Sequence, residues 1–346
     1  MAGGDMSELR AVLVGCGGIS RAWFRAAAEM EDLRFVGLVD LLPEAAEEKA
    51  AEFGLEGVRI GTNLEEILAV EKPEVLFNCT VPEAHMPVTL TAFEYGCHVL
   101  GEKPLADSME NARRMVQAAE EAGKIFAVIQ NRRYQANIRR VRAFLMSDII
   151  GPITTVNSDF YIGAHFGGFR DHMEHVLLLD MAIHSFDQAR LISGQDPSRV
   201  YCKEWNPTGS WYDHDASAVA VFQMTKDIVY TYRGSWCAEG LNTSWECAWR
   251  IIGEQGSLLW DGGDDFCAEV VTKTGGFRSE WEEVPVPEID PGSKVGGHAG
   301  VMRDFLQAVR TGSTPETVAR DNIKSLAMVF GAIRSAESGC EESIQV

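Results

Sequence analysis

Basic charge is what this 346-residue sequence has least of: 31 Lys and Arg stand against 51 Asp and Glu, a formal net charge of −20. Nucleic acid and anionic membrane surfaces both need a basic face, so both are excluded as partners. No apolar run reaches the roughly 18 residues that a membrane-spanning helix requires. The start, Met1 to Arg10, is polar and carries two acids, unlike a signal peptide. Residues 1–8 are expected to form a frayed or artificially appended tail. No C-x-x-C pair occurs among the eight cysteines, at positions 16, 79, 97, 202, 237, 247, 267 and 340. Most fall in apolar runs, where a free thiol behaves as a small hydrophobe; a reducing, cytoplasmic setting fits better than a disulfide framework. Internal repeats and low-complexity segments are absent as well. With 46% hydrophobic and 24% charged residues, the composition excludes disorder and suits a globular chain of about two domains. The acid surplus is scattered, and its densest runs, Glu44 to Glu52 and Glu280 to Asp290, read as solvated faces.

What is present first is strand–helix alternation. Ala11–Val14, Phe35–Val39, Val75–Phe77, His98–Leu100 and Ile125–Ile129 are continuous Val/Leu-rich runs, as expected of strands covered on both faces in a parallel sheet. Helices are expected at Pro43–Phe53, at Pro87–Tyr95 ending on Gly96, and at Ser108–Ala122 with Asp107 as N-cap and Gly123 closing it. This pattern predicts a doubly wound α/β domain over residues 9–145. Beyond about Phe144 the texture changes to strands and turns, predicting an α+β domain over 146–346 with a large, open, mainly antiparallel sheet. Ala218–Gln223 and Ile228–Tyr232 flank a plausible hairpin turn, and Ile251–Gly253 and Ser257–Trp260 another. A strongly amphipathic helix is expected at about Leu178–Ser193. Two more are expected near Gly300–Arg310 and Asp321–Glu337, the last of which could pack back on the first domain.

Three groups of residues carry chemistry. Gly15-Cys16-Gly17-Gly18-Ile19-Ser20 follows the first strand and opens a helix. Gly15 permits the tight turn, Gly17 lets backbone approach a pyrophosphate, and the helix start offers unpaired N–H groups to that anion. The third fingerprint position is Ser20 rather than Gly or Ala. The second strand ends in Asp40, 23 residues after Gly17, an acid that can bind a ribose 2′-OH and repel a 2′-phosphate; this favours NAD over NADP. Next, Gly101-Glu102-Lys103-Pro104 ends the strand His98–Leu100, where ligands of open α/β sheets bind. Lys103 there is either a proton-transfer group or a surface lysine before a turn. Last, Asp180 and His184 stand at i, i+4 on one helix, so an acid could orient an imidazole and stabilise its cation. A purely structural Asp–His pair has the same spacing.

In this order the motifs resemble those of the glucose-fructose oxidoreductase/inositol dehydrogenase/MocA family of sugar and polyol dehydrogenases, over nearly the whole chain. Asn78-Cys79-Thr80-Val81-Pro82 with His85, Gln130-Asn131-Arg132-Arg133-Tyr134, and Gly234-Ser235-Trp236 are similar to family stretches too. The resemblance implies an N-terminal Rossmann domain and a C-terminal domain whose open sheet builds dimers or tetramers. It also implies that Lys103, Asp180 and His184 surround the reacting carbon beside the nicotinamide. Cofactor contacts are expected from Gly15, Gly17, Gly18, Ile19, Ser20, Asp40, Thr80, Pro82, His85, Glu102, Lys103, Asn131 and Arg132. The implied reaction is oxidation of a secondary alcohol of a sugar, inositol or related polyol, with either His184 or Lys103 as base. A redox-neutral cycle on tightly held NAD and a non-catalytic NAD sensor are the rival readings.

The substrate side is expected to be lined by Tyr161, His165, Arg170, His172, His175 and Trp236, together with Lys103, Asp180 and His184. The loop His165–His175 is rich in aromatic and imidazole groups, suited to a polyol. His172, His175, Asp180 and His184 could instead hold zinc, but the implied chemistry needs no metal, and none is expected. Lys103, Arg132, Arg133, Arg170 and the histidines are expected to give a local positive excess around the dinucleotide.

Overall fold

The structure, a computed structural model, describes residues 8–346; the expected tail, residues 1–8, lies outside them apart from Glu8. The chain divides into two compact units, one running to Asn131 and including Gly296–Ile323, the other comprising Arg132–Val295 and Lys324–Val346. The division falls ahead of residue 145 because the helix Ala136–Met146 (α6 below) packs on a helix of the second unit.

In the first unit, strands β1 (Leu9–Val14), β2 (Leu33–Val39), β3 (Arg59–Gly61), β4 (Val75–Asn78), β5 (His98–Gly101) and β6 (Phe126–Val128) alternate with helices. These are α1 (Ser20–Ala27), α2 (Pro43–Glu52), α3 (Leu64–Glu71), α4 (Pro82–Glu94) and α5 (Met109–Ala122). The sheet order is β3-β2-β1-β4-β5-β6 with every pairing parallel. That is a Rossmann sheet, whose strand order reverses between β1 and β4 and leaves a crevice beyond their carboxyl ends. The continuous Val/Leu runs are buried on both faces, as a doubly covered sheet requires.

Two helix starts differ from expectation. Helix α4 begins at Pro82 rather than Pro87, since Pro82 sits at the first helical turn where its missing N–H costs nothing. Helix α5 is capped by Ser108, whose Oγ accepts from the Asn111 N–H at 3.2 Å, while Asp107 instead binds the Asn111 side chain. Strand β3 and helix α3 carried too short an apolar signal to be read.

The second unit opens with α6 (Ala136–Met146) and continues through β7 (Ile153–Tyr161), α7 (Ile183–Ser193), β8 (Pro197–Trp205), β9 (Ser217–Met224) and β10 (Val229–Ser235). Next come β11 (Ala248–Gly253), β12 (Gly256–Trp260), β13 (Phe266–Lys273) and β14 (Glu280–Glu283); α8 (Gly297–Thr311) and the start of α9 (Ala319–Ser338) belong to the first unit, and the rest of α9 and the short β15 (Glu342–Ser343) to the second. The nine-stranded sheet has the order β14-β13-β12-β11-β7-β10-β9-β8-β15, with only β7 and β10 parallel. Both expected hairpins form; the first turns through Lys226 at φ +56°.

Helix α7 lies on this sheet, with Phe186 edge-on to Phe222 at 4.8 Å and to Tyr232 at 5.3 Å. Full burial of such a ring contributes about 1.5–3 kcal/mol. The expected amphipathic helix is therefore corrected: α7 is buried nearly all round, and a helix enclosed on every side does not show a polar stripe facing water. Its polar side chains find internal partners instead. Gln188 donates to Glu246 at 2.7 Å, and Ser185 lies 3.0 Å from the Cys247 sulfur.

Candidate active site

The turn after β1 is shaped by the strand that faces it. Gly15 has φ +91°, and a Cβ there would fall 2.6 Å from the Cys79 carbonyl oxygen, so only glycine fits. At Gly17 and Gly18 the space is open, with nothing within 4 Å of a built Cβ. The N–H groups of Gly17, Gly18 and Ile19 find no acceptor among the described residues and lead into α1, whose start attracts an anion. Ser20 turns inward, its Oγ donating to the Gly17 carbonyl at 2.6 Å. Asp40, at the end of β2, accepts from the Cys16 N–H at 2.7 Å through Oδ2 and from the Leu42 N–H at 2.9 Å through Oδ1. Each oxygen keeps a further lone pair for a ribose hydroxyl. Open glycines, free N–H groups and a fixed acid together fit a dinucleotide. Burial, and then the Asp40 charge, push the Cys16 thiol up to about 12, so it stays neutral in the loop.

The ends of β4 and β5 form the next layer of this unit. Asn78 Oδ1 accepts from Thr80 Oγ1 at 2.6 Å and so ties the turn after β4. His85 is buried between two carbonyls, with Nδ1 at 2.9 Å from Pro104 and Nε2 at 3.0 Å from Thr80. A neutral ring donates to only one of them, and burial holds the His85 pKa below the ordinary histidine value. His85 therefore braces two strand ends, which corrects the expectation of a nicotinamide contact. Glu102 is also turned into the fold: Oε1 accepts from Trp23 Nε1 at 2.8 Å and Oε2 from the Lys103 N–H at 2.9 Å. It anchors α1 to the end of β5 and sets the backbone from which Lys103 projects. Asn131 Nδ2 lies 3.2 Å from His298 Nδ1 on α8.

In the second unit the segment before α7 is a π turn, Leu177–Ala182, and not α-helix as expected. Such turns insert an extra residue per turn, re-aim side chains and recur at functional sites. Asp180 sits in it and is held from two sides of its carboxylate by Arg170, Nε to Oδ2 at 2.8 Å and Nη2 to Oδ1 at 3.3 Å. The Arg170 guanidinium also lies 5.0 Å over Phe166 and 4.7 Å over Phe169. His184, at the start of α7, is 8% exposed.

The other expected substrate residues separate. His165 stacks on Trp211 at 3.7 Å and pairs with Glu239 at 2.8 Å. His172 pairs with Asp213 at 2.5 Å, and His175 with Glu204 at 2.6 Å. Tyr161 is half-buried at the end of β7, its N–H donating to Thr243 Oγ1. Trp236 is 1% exposed and packs against Phe160 and Phe166. A ring so enclosed has no face to offer, so its place in the substrate lining is corrected to core.

The expected positive excess is corrected as well. Arg133 is buried against Asp187, Nε to Oδ2 at 2.5 Å and Nη2 to Oδ1 at 2.7 Å. Arg132 donates to the Trp245 carbonyl and lies 3.6 Å from Glu246. With Arg170 on Asp180, all three cations are matched by carboxylates of their own unit. Glu204 was missed, although a signal existed: period two along β8 places it on the inward face with Val200 and Cys202.

Residues 9–130 match the model of an oxidoreductase family with an NAD-binding Rossmann fold, and residues 138–259 match the GFO/IDH/MocA C-terminal domain. This chain is a GFO/IDH/MocA-family oxidoreductase. Its first unit is accordingly an NAD-binding Rossmann domain. Among GFO/IDH/MocA relatives, a 1,5-anhydro-D-fructose reductase of Ensifer adhaerens is 25% identical, covering 96% of this chain and 98% of the relative. An inositol 2-dehydrogenase of Rhizobium meliloti is 23% identical over the same shares, 96% and 98%. An oxidoreductase of Agrobacterium radiobacter, solved with NAD+, L-tartaric acid and magnesium, has the same fold, with a TM-score of 0.85 at 21% identity over 98% of this chain and 99% of that one. No helix among the described residues is long and apolar enough to cross a membrane.

Proposed function

We propose that this chain oxidises a secondary alcohol of a sugar, inositol or related polyol, using NAD+. The observation that carries the reading is the π turn and its contents: an arginine-held Asp180 followed by the buried His184, polar groups where packing alone would select apolar ones. The sugar and inositol named for the two relatives support the substrate class. Bound NAD+ supplies the hydride acceptor. Gly17, Gly18 and Ile19 offer their N–H groups to its pyrophosphate, and Asp40 takes the ribose hydroxyl while repelling a 2′-phosphate. His184 accepts the hydroxyl proton at its imidazole. Asp180, held by Arg170, stabilises the resulting cation. Lys103 donates to the alcohol oxygen and stabilises its developing negative charge. Tyr161, His165 and His172 are left as contacts for further hydroxyl groups.

A homo-oligomer built on the open face of the nine-stranded sheet belongs to the same reading. Tyr201 and Val221, cross-strand neighbours, and Leu259 stand exposed there, and light scattering tests it. For the activity, sugars and inositols are screened for NADH formation, with NADP+ in parallel. Net NADH from at least one member is expected. Tightly retained NAD with no net NADH would replace the reading by a redox-neutral cycle.

A further inference from the structure

His175 and Glu204 meet in the second unit in a setting unlike a surface ion pair. The Glu204 side chain is 2% exposed, and its Oε1 has no hydrogen-bond partner among the described residues. Its other oxygen, Oε2, lies 2.6 Å from His175 Nδ1. His175 itself has φ +51°, a left-handed conformation that a side chain with a Cβ rarely adopts. Its carbonyl accepts from the Leu179 N–H at 3.0 Å, inside the π turn that carries Asp180. One residue thus joins a buried carboxylate, through its ring, to the Asp180–His184 segment, through its backbone.

We propose that the His175–Glu204 pair is a positioning latch for the Asp180–His184 segment, engaged while His175 is protonated and released when it loses that proton. The proposal rests on the assignment of Asp180 and His184 to catalysis. A carboxylate taken out of water needs a charged partner, and a protonated imidazole donating through Nδ1 supplies it. The carboxylates facing the pair are Glu337 from α9, 3.8 Å from Nε2, Glu174 beside His175 in the chain, and Asp215 towards Glu204, while Asp213 and the imidazole of His214 line the same cleft.

The Glu204 hydrogen bond above all, and then the charges of Glu204, Glu337 and Glu174, raise the His175 pKa above the ordinary histidine value. Burial raises that of Glu204 in turn. The charged pair is therefore complete only between the two raised values: below that of Glu204 the carboxylate takes a proton, and above that of His175 the imidazole loses one. The proton leaves to water in an open cleft that His175 lines with Asp213 and His214. Once it has gone, Glu204 is buried without a counter-charge, and nothing offsets the strained backbone at His175.

The test combines hydrogen exchange over residues 175–184 with turnover, both followed against pH on the whole protein. In the wild type, protection of this segment, corrected for base catalysis of exchange, should fall over the same pH range in which kcat falls. His175→Leu removes the donor and should lower kcat about tenfold at neutral pH with KM for NAD+ unchanged. His175→Lys keeps a positive charge for Glu204, takes the left-handed backbone that Lys72 and Lys226 already adopt in this chain, and does not titrate in this range. It should recover most of that loss and abolish the pH dependence of protection. Protection that is flat with pH in the wild type, or equal losses in the Leu and Lys variants, would overturn the latch. The exchange arm needs no substrate. A protein that oxidises no sugar yet shows the pH-dependent protection keeps the latch and loses the functional reading.

Discussion

Arg133 lies in a stretch similar to the family's, yet the structure gives it to the interior of the second unit, and one perturbation separates the two roles. Asp187 is fully buried, accepts two hydrogen bonds from Arg133, and takes a third from Ser325 Oγ at 2.7 Å, itself bound by Arg190 at 3.0 Å. Asp187→Ala removes the carboxylate that accepts two bonds from this guanidinium, whose side chain is only 7% exposed. Removing one partner of such a pair costs about 3–5 kcal/mol, because the remaining charge is left in low dielectric. For a unit of this size each kcal/mol lowers Tm by about 2–4 °C, giving a drop of about 6–20 °C. Arg133→Met with Asp187→Leu removes both charges and should recover at least half of the loss, since Ser325 keeps Arg190 as its partner. Circular dichroism during heating, followed on the second unit's transition, reads both variants. A single variant within about 1 °C of wild type, well inside the spread of surface substitutions, would refute the structural role. So would a double variant no better than the single one.

Glycine substitutions should separate fold from binding: Gly15→Ala meets the Cys79 carbonyl and should lower Tm, whereas Gly17→Ala has open space and should weaken NAD+ binding with Tm little changed. Calorimetric titration of NAD+ beside thermal melts decides this, and intact NAD+ affinity in Gly17→Ala would count against the cradle. Asp40→Ala should raise the NADP+/NAD+ preference about tenfold or more by removing the carboxylate that repels the 2′-phosphate, read from kcat/KM with each cofactor. Burial pushes Cys97 to about 11 and Cys16 and Cys247 to about 12. At pH 8, alkylation followed by mass spectrometry should therefore label the exposed Cys267 and Cys340 first; early labelling of Cys16 would contradict its burial.

The Rossmann unit was legible because its information is local. Continuous Val/Leu runs, Gly15 and Gly17 after a strand, and Asp40 after the next one each act within a few residues. The second unit's sheet was legible as a class, from hairpins such as the one turning at Lys226. Its partnerships were not, since they depend on which distant residues meet. Arg170 on Asp180, Arg133 on Asp187 and His175 on Glu204 join positions that no spacing relates. The π turn was hidden because Asp180 and His184 at i, i+4 suit an α-helix equally well. Trp236 was misplaced for a related reason: its neighbours Phe160 and Phe166 are distant in sequence, so its enclosure cannot be read from Gly234-Ser235-Trp236.

The central claim is that His184 and Lys103 serve NAD-dependent oxidation of a sugar or polyol alcohol. The direct test is NADH formation across a panel of sugars and inositols by wild type, His184→Ala and Lys103→Ala, with NAD+ binding measured on each. The account predicts NADH from wild type alone, while both variants still bind NAD+. Turnover near the wild-type rate in either variant, or faster reduction of NADP+ than of NAD+ by the wild type, would contradict it.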